Sequence, residues 1–153
     1  MLFLTTGTWV VVADGAKALL LENTGTAEAP QLRVVKKMAI DNPPTREQGT
    51  DQPGRMDGPG GAPRSAMEQT DFHRLAEEGF ARDLAADLEA RLDAGEMKRL
   101  VLAAPPQMLG SLRGAMGPAL AGAVVAELPK TLTGHPTAEI ARIVAGDLAG
   151  MSA

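Results

Sequence analysis

From Trp9 to Ala13 the chain reads WVVVA, with no polar residue at either alternate position. Successive side chains of a strand point to opposite faces, so an extended segment that is apolar at every step must be covered on both sides. Residues 8–13 are therefore expected in the middle of a sheet with helices around it. Asp14-Gly15 follows, and AKALLLE at 16–22 reads as a second strand. An Asp-Gly pair between two apolar runs predicts a hairpin with a type I′ turn, in which both central residues take positive φ. The other role open to Asp14, an acid for a metal or a phosphate, has less support from its flanks than the turn does.

A third strand is expected over 31–38, QLRVVKKM, where Arg33, Lys36 and Lys37 give it the charged character of a sheet edge. Periodicity then stops. Residues 41–64, DNPPTREQGTDQPGRMDGPGGAPR, hold five Pro and five Gly, with Met56 the one large apolar side chain. The stretch has nothing to anchor it in a core and reads as a long, flexible, solvated loop. Helix-start signals follow at Ser65-Ala66-Met67-Glu68, a capping box, and again at Thr70-Asp71. From there Phe72, Leu75, Phe80, Leu84, Leu88 and Leu92 recur at mostly four-residue spacing, a helix with that stripe inward. Glu78-Arg82 and Asp87-Arg91 supply i,i+4 pairs, and Ala94-Gly95 marks the end.

LVLAA at 100–104 is a short buried strand, and Pro105-Pro106 starts a helix with Met108, Leu109 and Leu112 inward, as far as Gly117-Pro118. A last strand is read at 123–128. His135 is read as the cap of a final helix opened by Pro136, with Ile140, Ile143, Val144 and Leu148 inward. The order βββ-α-β-α-β-α, with the first strand central, is that of an α/β, ribonuclease H-like fold. It predicts one domain over 1–153 and a five-stranded mixed sheet in the strand order 3-2-1-4-5. The 153 residues suffice for one core, built from aliphatic side chains, since there are three Phe, one Trp and no Tyr.

Several chemistries lack their residues. With no cysteine there is no disulfide, thiol nucleophile or Cys-based zinc site. Nucleases of this fold clamp phosphate with metal-binding carboxylates, and the fourth strand here ends in Ala103-Ala104-Pro105-Pro106. The same two prolines remove backbone donors that a nucleotide phosphate would use at that crevice. His73 and Glu77 share a helix face, but as first-turn polar residues they are read as solvated, and neither a metal nor a cofactor is expected. No Ser-His-Asp spacing or G-x-S-x-G elbow is present. A formal net charge of −4 gives no global basic field, and the N-terminus has neither a positive region nor a membrane-length apolar run, so a cytoplasmic chain without membrane contact is expected.

NPPTREQGTDQPGR, GGAPRSAMEQTD, FARDLAADLEARL, LVLAAPPQMLGSLR and, at the front, VVVADGAKALLLEN together resemble the bacterial host-attachment protein family over nearly the whole chain. That family is similar to the middle, catalytic domain of archaeal and eukaryotic peptide-chain release factors, and the resemblance implies the same ribonuclease H-like architecture. In those factors a Gly-Gly-Gln motif tips the loop between the third strand and the long helix. Gly60-Gly61-Ala62 takes that place here, with Ala62 where the glutamine would help position water. No codon-reading domain of the kind a termination factor carries is expected within these 153 residues. The reading is therefore a non-enzymatic binding or adaptor module with no catalytic residues. Its contact element would be the 41–64 loop, with Arg46, Arg55, Gly60, Gly61 and Arg64 meeting a protein or a ribosomal or RNA partner. The alternative is a release-factor-like hydrolase acting on peptidyl-tRNA or a ribosome-associated substrate.

Overall fold

Extended backbone at WVVVA produces β1 (Trp9–Ala13), every residue of which is buried. β2 (Lys17–Asn23) pairs with it antiparallel, β3 (Leu32–Ala39) pairs antiparallel with β2, and β4 (Leu100–Ala103) lies parallel to β1 on its other side. β5 (Val124–Leu128) runs parallel to β4, completing a five-stranded mixed sheet in the order β3-β2-β1-β4-β5. This is the expected order, with β1 central and the charged third strand at an edge. The computed structural model describes residues 2–40 and 66–151, and of 66–73 the backbone only.

The helices divide between the two faces. α1 (Ala66–Asp93) and α2 (Pro106–Ala115) bury Phe80, Leu84, Leu88, Met108, Leu109 and Leu112 against Trp9, Val11, Leu20, Leu100 and Leu102. A short α3 (Pro118–Ala123) joins them through Leu120. On the opposite face α4 (Thr137–Gly150) lays Ile140, Val144 and Leu148 over Val10, Val12, Leu21 and Val101. The alternation that sends Val10 and Val12 one way and Trp9 and Val11 the other is why β1 had to be apolar throughout.

The earlier of the two helix-start signals is the one used, since α1 begins at Ala66. Its end is as expected: Gly95 takes φ +78, and the amide N–H groups of Gly95 and Glu96 close on the carbonyls of Leu92 and Arg91. Asp87 and Arg91 form the expected pair at 2.7 Å, whereas among the described residues Glu78 and Arg82 form none.

Four expectations are corrected. The β1–β2 connection is a hairpin but not a type I′ turn, because among the described residues only Gly7 and Gly95 have positive φ. Instead the Asp14 carboxylate accepts the amide N–H groups of Ala16 and Lys17 at 2.8 and 2.9 Å, so a side chain does the work assigned to backbone handedness. Leu75 is 60% exposed rather than inward. A 28-residue helix is about 42 Å long and β1 about 17 Å, so the first turns of α1 run past the sheet, where no face is left to cover. Pro118–Ala123 is helical where only a break was read, since Pro118 sits at an N-terminal position that tolerates it. His135 does not cap α4: the N-cap is Pro136, with no side-chain hydrogen bond.

Candidate functional site

β1, β4 and β5 are parallel, so their C-terminal ends open at one end of the sheet, the usual location of sites in α/β folds. The segment 41–65 departs from this same end. Its root, Ile40, donates its amide N–H to the carbonyl of Ala16 at 2.8 Å, beside the β1–β2 turn. Arg46, Arg55, Gly60, Gly61 and Arg64 lie outside the described residues, and so does the side chain of His73.

Chemistry at the strand ends is committed to structure. Besides its two turn amides, Asp14 accepts the Thr133 hydroxyl at 2.9 Å, which ties the turn to the approach of α4. Gly15 admits Glu77 of α1: a Cβ there would lie 2.3 Å from Glu77 Oε2. At the end of β4, Ala103 and Ala104 are buried, the Ala104 amide N–H donates to the Leu128 carbonyl, and Pro105 caps α2. Among the described residues no group of three or more His, Cys, Asp or Glu is arranged to hold a metal ion. No helix there is long and apolar enough to cross a membrane.

The same end carries a cleft of about 500 Å³ that the sequence reading did not foresee. Its floor is the α4 side of the β2–β3 hairpin, through Leu19 and Val34, and its far wall is His135, Pro136 and Thr137. Lys17 and Lys37 line it. In the hairpin Lys17 is opposite Ala39 and Leu19 opposite Lys37, so the two lysines are diagonal neighbours on one face, about 7–8 Å apart at the backbone. Among the described residues neither is in an ion pair. The signal is partly legible in the sequence, where Lys37 reads as a charge on an edge strand and, with Lys36, as a contact for RNA.

On the opposite side of β3 the charge is neutralised. Lys36 reaches Asp87 of α1 at 2.6 Å, Asp87 also holds Arg91 at 2.7 Å, and Arg91 lies 5.4 Å over the ring of Trp9. Partial burial alone would raise the Asp87 carboxyl, but the hydrogen bonds and charges of Lys36 and Arg91 outweigh it and hold the group below its ordinary value.

Residues 7–144 match the model of a protein family described as bacterial archaeo-eukaryotic release factor family 12. The fold is similar to the crystal structure of an archaeal translation termination factor, aRF1, with 9% sequence identity and a TM-score of 0.48. That alignment covers 94% of this chain and 39% of the other, so the chain spans well under half the length of that protein. Comparison with curated proteins found no match.

Proposed function

The chain belongs to bacterial archaeo-eukaryotic release factor family 12, and from that membership we propose a non-enzymatic, cytoplasmic binding module, one domain over 1–153, that engages a ribosomal or RNA partner through its 41–64 segment. Arg46, Arg55 and Arg64 would pair with phosphate or carboxylate, and Gly60-Gly61 would allow close backbone approach. The observation that carries the reading is the state of Asp14. This acid, at the root of the segment, holds two turn amides on Oδ1 and the Thr133 hydroxyl on Oδ2, a structural use that supports a binding role over an acid–base one. Ala62, where the family resemblance implies glutamine, adds to this, because a methyl group can neither donate nor accept a hydrogen bond.

The second reading, a hydrolase acting on peptidyl-tRNA, draws on the family membership and on the retained Gly60-Gly61 pair. One experiment separates the two: peptide release from peptidyl-tRNA on ribosomes, paired with ribosome co-sedimentation, for wild type, Ala62→Gln and Arg64→Ala. The binding reading expects sedimentation that weakens with salt and with Arg64→Ala, without release by the wild type. Release by the wild type establishes the hydrolase instead. Neither release nor salt-sensitive sedimentation in any variant removes the ribosome and leaves a protein partner.

A further inference from the structure

The binding function proposed for the 41–64 segment does not require the cleft beside β2 and β3. We propose that it is a separate site for a small phosphomonoester with an apolar body, of about nucleotide size. Three observations lead there. Its volume of about 500 Å³ suits one small molecule rather than a polymer. Lys17 and Lys37 line it from one sheet face, and no carboxylate among the described residues pairs with either. From diagonal positions on one sheet face both lysines can reach a single anion, which would offset any repulsion between their like charges. His135 lines the opposite wall and brings an imidazole to the cleft.

The charge count selects the ligand class. A phosphomonoester carries close to two negative charges above its second pKa of about 6, matching two lysines, whereas a carboxylate or an internal phosphodiester carries one. Leu19, Val34, Met38 and Pro136 make much of the remaining surface apolar, beside Thr133 and Thr137, so an apolar body carried by the phosphate gains from covering them. With no Phe, Tyr or Trp in the lining and His135 its one aromatic ring, a base would rest mostly on aliphatic groups, which favours fit by shape over sequence reading.

Lys17 and Lys37 are exposed, so removing them leaves the core intact. The test is isothermal titration calorimetry of the full chain, above the second phosphate pKa and at low salt. The probes are adenosine 5′-monophosphate, hexyl phosphate, adenosine, and a short oligoribonucleotide with no terminal phosphate. Saturable binding of either phosphomonoester is expected, weakened about tenfold by Lys17→Ala and again by Lys37→Ala, since each loses one charge-assisted contact. Lys36→Ala, on the other face, should bind as wild type. The proposal is overturned if neither phosphomonoester saturates, if adenosine binds as well, if the oligoribonucleotide binds as tightly per site, or if both lysine variants bind unchanged. None of these outcomes depends on ribosome sedimentation, so this site and the 41–64 reading stand or fall separately.

Discussion

The two faces of the β2–β3 hairpin carry the same kinds of residue and use them oppositely. On the α1 side Lys36 is matched by Asp87, Leu20 is fully buried, and a guanidinium lies over Trp9. On the α4 side Lys37, toward the C-terminal end of β3, has no ion-pair partner among the described residues, and Val34, nearer its start, is 36% exposed. α1 is 28 residues long and covers its face to the sheet end and beyond, whereas α4 is 14 and starts beside the cleft. The lesson is that helix length and position, rather than strand composition, decide which half of a hairpin is core and which is available to a ligand.

Core truncation on the covered face should produce the largest effect. Leu84→Ala, at a fully buried position, should cost about 2–5 kcal/mol in urea unfolding, because the surrounding helices cannot collapse onto the void. Val34→Ala on the open face should stay within about 0.5 kcal/mol. Equal losses at the two positions would mean that the open face is covered in solution.

Asp87→Ala comes next, at about 1–2 kcal/mol, since its side chain is only 16% exposed and two cations lose their shared acceptor. Lys36→Ala should cost less than about 1 kcal/mol, because its side chain is 43% exposed and Arg91 remains to pair Asp87. A reversed ranking would show that β3, and not α1, depends on this contact.

The pH dependence follows from the same carboxyl. The folded-state pKa of Asp87 is lowered, so its contribution is fully present above its ordinary value, near 4, and is lost as pH falls through the lower folded value. Urea midpoints between about pH 5 and pH 2 should therefore decline less steeply for Asp87→Asn than for wild type. Identical slopes would place the acid sensitivity elsewhere.

The smallest effect belongs to the open face. Lys17→Ala and Lys37→Ala should leave stability within about 0.5 kcal/mol, or raise it slightly by ending their mutual repulsion. A larger loss in either variant would reveal a counterion on that face.

Much of this architecture was legible in particular residues. WVVVA required a doubly covered strand, Arg33 and the lysine pair marked an edge, and Pro105-Pro106 and Gly95 delimited helices by removing a donor and by accepting positive φ. These signals are local: each follows from the side chain's own sterics or from a period of 2 or 3.6 residues. The same locality made the Asp14-Gly15 turn type misleading, because a nearby carboxylate offers the backbone another way to close.

The cleft needed the tertiary structure. Counting alternately along β3, Val34 and Lys37 belong on opposite faces, but a β-bulge shifts the register so that Leu20 faces Lys36 while Leu21 faces Val34. One extra residue in β3 therefore brings Val34 and Lys37 onto the same face. His135 and Pro136 reach them across about 100 residues of sequence only because α4 starts at that end of the sheet. The sequence alone determined the five strands, the three longer helices and their order, though not the short α3, since these rest on short-range periodicity and backbone sterics. Which lysine became paired and which faces a cleft was decided by a bulge and by where two helices begin, because those depend on contacts that no local pattern records.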